Sequence, residues 1–315
     1  MDISIVIPLL NESESLVELS LKIDSVMKEN SFKYEVIYVD DGSDDDSWKI
    51  ISSICIENNS FKAIKFSKNY GKSQALHAGF EIAAGNVVFT MDADLQDDPE
   101  EIPEMYNLII NKKLDILSGW KKKRFDPVLT KNLPSKIFNL SARLTSGIKL
   151  NDFNCGLKGY KNEVVKNINV YGEMHRYIPI LASNEGYNKI EEKVIKHRPR
   201  KYGQTKFGMS RFSHGFLDLV TIWFLSRFGK RPMHFFGTIG ALMLIIGFMF
   251  ALYLGIDKVY LNPEGRLITE KPEFFISLTT MILGSQFFVA GFLGEMITRN
   301  NQNKKQYKID QKINS

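Results

Sequence analysis

Cysteine is nearly missing: Cys55 and Cys155 are the only two in 315 residues. That excludes a disulfide framework and a cysteine-rich metal site, and both are expected to be reduced thiols in a cytosolic domain. Glycine-rich nucleotide signatures are missing too. Neither GxGxxG nor GxxxxGK[ST] stands at the end of a strand-like segment, which argues against a dinucleotide or P-loop site. No internal repeat is evident, and no QxxRW-type motif occurs. No basic leader precedes the first strand pattern, "ISIVIP", so no signal peptide is expected. The net charge is only +5, and no nucleic acid is expected among the partners.

Charge itself is what two stretches lack. His234 to Ile256 and Phe274 to Gly294 contain no Lys, Arg, Asp or Glu. Each exceeds the ~20 residues that cross a bilayer core. Two spans are therefore expected, at about 234–256 and 274–295. Arg227, Lys230 and Arg231 precede the first and Arg299, Lys304 and Lys305 follow the second, whereas the loop Asp257 to Glu273 is mixed. This asymmetry favours both ends in the cytoplasm, in a multi-pass protein of the inner (plasma) membrane. The expected organisation is a cytoplasmic domain over 1–210, an amphipathic juxtamembrane helix and linker over 211–232, a two-helix anchor over 233–298 and a polar tail over 299–315. Phe216, Leu219, Val220, Trp223, Phe224 and Arg227 recur at helical spacing. That suits a helix lying in the membrane interface, or one docked on the first domain.

What the first domain does have is regular alternation. "ISIVIP", "YEVIYVDDGS", "KAIKFS", "NVVFTMDAD" and "LDILSG" read as strands, separated by helical patterns over Glu14 to Glu29, Ser47 to Ile56, Ser73 to Ala84 and Pro99 to Ile110. Strict alternation implies an α/β fold with a mostly parallel sheet covered on both faces. Such sheets bind ligands beyond the carboxyl ends of their strands.

At one of those ends, "VVFTMDADLQDDPEE" packs six acidic residues behind an apolar strand. Like carboxylates repel unless a cation sits among them, so the segment is either a solvated capping loop or a cation site. Asp98 and Pro99 read as the cap and first position of the next helix. Asp92 and Asp94 fall in the connection and project the same way if it stays extended. With an amide oxygen at Gln96 they suit a hard divalent ion that keeps positions open for phosphate oxygens. The second strand ends in "VDDGSDDD", where Asp40 and Asp41 can accept hydrogen bonds from a ribose or base edge, or simply cap a helix.

"SIVIPLLNE", "VDDGSDD", "NYGKSQALHAGFEIAAG" and "MDADLQDDPE", in that order, resemble an inverting family 2 glycosyltransferase of GT-A (Rossmann-like) fold. With the two spans, the chain looks like the polyprenyl-phosphate glycosyltransferases, which resemble dolichol-phosphate mannose synthase. The resemblance implies that Asp94 and Gln96 help hold Mg²⁺ or Mn²⁺, and that Asp92 reaches the metal through water or contacts the sugar nucleotide. Pro8, Asn11, Glu12, Asp40 and Asp41 would line the nucleotide, with Lys72 and Lys206 on the nucleotide-sugar side. Lys121 would bind the acceptor phosphate, and Lys136, Arg143 and Arg176 are further candidates there. The loop "RKYGQTKF" resembles the segment that closes over the donor diphosphate, which makes Arg198, Arg200 and Lys206 cations of interest and Arg200, with Asp92, Asp94 and Lys121, a catalytic candidate.

The chemistry is consistent with those types. A nucleotide-diphosphate sugar loses its diphosphate only if the developing charge is neutralised, as a divalent cation does. A lipid phosphate, with a second pKa near ~6, is already largely dianionic and needs cations for positioning more than a base. A hydroxyl acceptor would need a carboxylate, for which Glu173 is the candidate. The expected partners are a nucleotide-diphosphate sugar (UDP- or GDP-linked), a polyprenyl (undecaprenyl or dolichyl) phosphate and the membrane, with a homo-oligomer left open. A hydroxyl-directed transferase and a non-catalytic nucleotide-sugar-binding membrane protein are the alternatives.

Overall fold

Two apolar, β-branched segments form neighbouring strands: ISIVIPL is β1 (Ile3–Leu9) and YEVIYVD is β2 (Tyr34–Asp40), both buried throughout. They pair in parallel from Ile3 opposite Tyr34 to Leu9 opposite Asp40, so both finish at the same edge. The computed structural model describes residues 1–122, 139–140, 142–144, 146–170, 172, 174–199, 201–202, 224, 228–229, 231–300 and 309–313. It divides into two units, Met1–Trp223 with Lys305–Ser315, and Phe224–Lys304.

In the first unit the elements follow as α1 (Ser13–Glu29), α2 (Ser47–Glu57), β3 (Phe61–Phe66), α3 (Lys72–Ile82), β4 (Val87–Thr90), α4 (Ile102–Lys112) and β5 (Ile116–Trp120). After them come β6 (Lys158–Lys161), α5 (Asn162–Asn167), α6 (Ile178–Asn184), β7 (Ile190–Val194) and, at the far end of the chain, β8 (Ile309–Ile313). The sheet order is β7-β5-β6-β4-β1-β2-β3-β8. β4, β1, β2 and β3 are parallel neighbours, as the alternation predicts. The sheet as a whole is mixed, because β6 runs antiparallel between β4 and β5, and β8 runs antiparallel along β3. Five residues of the segment expected to be a polar tail thus form an edge strand, and Ile313 packs against the core.

The helices cover this sheet with their apolar faces. α1 buries Leu16, Leu19, Ile23 and Met27, spaced three to four residues apart, against Ile5, Ile7, Val36 and Tyr38. Burying one such side chain stabilises by about 1.5–3 kcal/mol. α4 likewise buries Ile102, Met105 and Ile109. These faces hold the strand ends at a fixed height, and the site is built on those ends.

The second unit is a helix pair, α7 (Pro232–Ile256) and α8 (Pro272–Asn300). Both are long and apolar enough to cross a membrane. Leu242, Ile245, Ile246, Phe248 and Met249 of α7 and Ile282, Val289 and Phe292 of α8 point outward and are exposed. Hydrocarbon solvates such a surface, whereas an apolar patch of this extent is rare on a water-soluble monomer. Inside the pair, small residues let the backbones touch: a Cβ at Gly240 would stand 2.5 Å from the Gly284 carbonyl oxygen. Close backbone approach of this kind is how helices gain packing where no hydrophobic effect drives them together. Gly240→Leu is therefore expected to lower the detergent melting temperature of the full chain, by overpacking worth about 1–3 kcal/mol. Leu242→Ala on the outer face should stay near wild type, and equal melting of the two variants would refute the seam.

Candidate active site

The loops after β1, β2 and β4 and the loop before α3 enclose a cleft of about 290 Å³. Pro8, Leu9, Leu10 and Glu12 line it from β1, Asp41 from β2, Asn69, Gly71 and Lys72 from the α3 side, and Asp92, Ala93 and Asp94 from β4. It lies where open α/β sheets place ligands, because the parallel register brings these strand ends together.

Three residues expected on the nucleotide side tie the cleft walls together, and of these Asp41 also lines the cleft. Asn11, at φ 53, donates its N–H to Ser43 Oγ (2.9 Å) and accepts on Oδ1 from Asp44 N–H (3.0 Å), which ties the β1 loop to the β2 loop. Asp40 is buried and accepts from Ser43 N–H at 2.9 Å. Asp41 uses both oxygens on the β3–α3 loop, accepting from Tyr70 N–H (2.7 Å) and Gly71 N–H (2.9 Å). Burial pushes the Asp41 carboxyl up to about 6 despite those two donors.

Asp92 carries the densest electrostatics. Its Oδ1 is 2.5 Å from Lys72 Nζ, the first residue of α3. Burial pushes its carboxyl up, and Lys72, Lys121 and Lys158 more than reverse this, holding it down at about 2. Lys158 comes from β6, is almost wholly buried and donates to the Cys155 carbonyl. Burial holds its ammonium below the usual lysine range. Gly156 lets the carboxylate lie flat against the backbone, since a Cβ there would be 2.5 Å from Asp92 Oδ2. Asp94 is the contrasting partner. Burial, then the negative charges of Asp92 and Asp97, push its carboxyl up to about 6, and it accepts from the Gln96 N–H at 3.2 Å. Leu95, at φ 63, makes the turn between them.

This oxygen set fits Mg²⁺ or Mn²⁺ in kind: a carboxylate at the cleft wall short of positive charge, with a second carboxylate and an amide side chain within four residues. Among the described residues no group of three or more His, Cys, Asp or Glu could hold a metal by itself. An ion seated here would take further ligands from the substrate and water.

Asp97, Asp98 and Glu101 of the run are fasteners. Asp97 Oδ1 is 2.7 Å from Lys121 Nζ, with side-chain exposures of 0 % and 11 %. Asp98 accepts from Glu100 N–H as a cap and pairs with Arg198 at 2.5 Å. Glu101 pairs with Lys193 and accepts from Lys196 N–H, while Arg198 N–H donates to the Gln96 carbonyl. Four contacts thus clamp residues 193–198 onto the acidic loop.

On the expected acceptor side, Lys121 is enclosed between Asp97 and Asp92, and despite its burial those anions raise its ammonium above the usual range. Arg143 donates to Asn151 Oδ1 (3.1 Å), and Arg176 neighbours His175. Lys136, Glu173, Arg200 and Lys206, and residues 203–223 with most of the expected amphipathic helix, lie outside the described residues. Sequence reasoning passed over Lys158 and Ser73. Ser73 Oγ accepts from His175 N–H at 2.9 Å, and burial, then Lys72 and Arg176, keep the imidazole well below its usual range and neutral. A buried lysine in a four-residue strand leaves no hydrophobic signal to find it by.

Comparison with known proteins agrees with the fold. The family model described as glycosyl transferase family 2 matches residues 4–168. Dodecaprenyl-phosphate galacturonate synthase of Rhizobium johnstonii is 34% identical, over 95% of this chain and 88% of its own length. Undecaprenyl-phosphate 4-deoxy-4-formamido-L-arabinose transferase of Pseudomonas syringae pv. syringae is 32% identical, over 94% and 86%. Among solved structures, glucosyl-3-phosphoglycerate synthase of Mycobacterium tuberculosis with Mn²⁺, UDP and phosphoglyceric acid shares the fold at TM-score 0.56 and 14% identity, covering 71% of this chain and 78% of that one.

Two outcomes follow from the contacts. Gly156→Ala should displace the Asp92 carboxylate and lower turnover roughly 100-fold, the scale of a 1 Å misplacement, with circular dichroism unchanged. Turnover within a few-fold of wild type would refute the cradle. For Asp41, the folded pKa of about 6 exceeds the ordinary 3.8. Ionising it therefore costs stability above that pH, and the cost is relieved as pH falls from about 6 toward 3.8. Relative to Asp41→Asn, the wild type should gain about 1 kcal/mol in thermal unfolding between about pH 7.5 and about pH 5. A difference that does not change with pH would contradict this.

Proposed function

Since the chain belongs to glycosyl transferase family 2, we propose that this glycosyltransferase moves one sugar from a nucleotide-diphosphate donor to a polyprenyl phosphate at the cytoplasmic face of the inner membrane, inverting the anomeric centre. The observation that carries the reading is the cleft at the strand ends, where the Asp94 carboxyl stands short of positive charge beside the Lys72–Asp92 pair. Two relatives whose names specify polyprenyl phosphates match through both apolar helices, which supports a lipid acceptor. UDP is the first nucleotide to test, because structural neighbours hold it with Mn²⁺. β8 pairs with β3, so residues from both sides of the helix pair meet in one sheet, which supports both ends lying on one side of the membrane.

A divalent ion bound by Asp94 and Gln96 would neutralise charge on the departing diphosphate. The chain's own residues do the rest. Asp92 holds Lys72 at the cleft before the donor binds. Asp41 fixes the loop that presents Gly71 and Lys72. An oxygen of the acceptor phosphate forms the new bond to the anomeric carbon as the bond to the diphosphate breaks, and that electron pair leaves with the diphosphate. The acceptor is already ionised, so no base is needed.

The test is transfer of radiolabelled sugar from a panel of UDP- and GDP-sugars into organic-extractable lipid with undecaprenyl phosphate in detergent. Asp94→Asn should lose roughly 100-fold or more in turnover. Glu173→Gln should keep much of it, because a phosphate acceptor has no proton to remove. A dead Glu173→Gln with label entering only hydroxyl acceptors would replace this reading with the hydroxyl-directed one, and full activity in excess chelator would remove the metal.

A further inference from the structure

Lys72 stands in an unusual place. As the first residue of an 11-residue helix, its ammonium sits at the positive end of the α3 macrodipole, where an anion is favoured and a cation is not. It is held there by Asp92 at 2.5 Å. The pair is reachable from the cleft, with side-chain exposures of 37 % for Lys72 and 32 % for Asp92, and both residues line it. Lys121 and Lys158 also bear on Asp92 from within the fold, Lys121 already paired with Asp97. Among the described residues, Lys72 is therefore the cation on Asp92 with freedom to leave, on a flexible four-carbon stem.

A divalent ion coming to Asp94 and Asp92 would meet that ammonium, and two cations on one carboxylate repel each other. Among the described residues too few ligands come together to complete the shell alone. A diphosphate resolves both problems at once: it brings oxygens to the ion, and it offers the displaced ammonium an anion at the helix end that favours one.

We propose that Lys72 is a resident counter-ion that occupies Asp92 until nucleotide and metal arrive together, so that metal binding depends on the nucleotide and Lys72 changes partner from carboxylate to diphosphate. This rests on the nucleotide-sugar reading above. It makes Lys72 the residue that couples the two ligands and keeps the cleft closed to free divalent ions.

The experiment reads Mn²⁺ binding directly, by the electron paramagnetic resonance signal of free Mn²⁺, on the full chain in detergent with no sugar donor present. Titrations are run without nucleotide, with UDP and with GDP, correcting for the Mn²⁺–nucleotide complex in solution. In the wild type, one nucleotide should tighten Mn²⁺ binding roughly tenfold or more, within the ordinary range of coupling between sites. Lys72→Met should bind Mn²⁺ alone roughly tenfold more tightly than wild type and lose most of the nucleotide-linked gain. Lys72→Arg, which keeps the charge, should follow the wild type. Equal Mn²⁺ affinity of wild type and Lys72→Met in the absence of nucleotide would overturn the proposal while leaving the transferase reading intact. Equilibrium dialysis with labelled UDP and GDP separates the other failure: if neither binds with Mn²⁺ present, the nucleotide-sugar reading falls, and this inference with it.

Discussion

Repulsion among carboxylates at the end of β4 is the constraint around which the first unit is arranged. Six acids follow within eleven residues of Met91, and several are buried. Four of them, Asp92, Asp97, Asp98 and Glu101, draw cations from elsewhere in the fold: Lys72 from α3, Lys121 after β5, Lys158 from β6, Lys193 and Arg198 from β7 and the segment behind it. Breaking a buried pair of this sort strands a charge in a medium that cannot solvate it. The loop is ordered because the sheet beneath it is complete. Asp94 is left short of positive charge, and that shortage gives the site its chemistry.

The division of labour also explains why two adjacent carboxylates behave so differently. Asp92 is enclosed by ammonium groups and packed against Gly156, so it stays ionised and fixed. Asp94 faces two like charges and a backbone N–H. A site that must release a diphosphate after each turnover gains from this split: one carboxylate holds the local architecture, and the other binds its ion only while the substrate is there to complete it.

Much of the first unit was readable in the sequence. The strands at Ile3–Leu9, Tyr34–Asp40, Phe61–Phe66, Val87–Thr90 and Ile116–Trp120 are apolar runs bounded by turn residues, and the helices between them keep a 3.6-residue rhythm. Asp98 and Pro99 announced the turn that opens α4. The second half was not readable, for physical reasons. β6 reads LKGYK around a buried lysine, β7 reads IEEKV at a half-exposed edge, and β8 sits in a polar terminus; none buries enough apolar surface to show a strand pattern. In the site, the paired Asp residues stood out as a motif. The identity of their partners depends on contacts between residues up to a hundred positions apart, such as Asp98 with Arg198, and no local pattern encodes those.

β8 has one further consequence, which concerns the order of synthesis. The strand that covers β3 follows both apolar helices in the chain. As the protein is made, β1 to β7 are complete long before their edge partner exists, so the outer-edge hydrogen-bonding groups of β3, on the side away from β2, wait until the helices have been synthesised. An open edge is where chains pair wrongly with one another. Closure of this edge thereby waits until translation has passed both apolar helices.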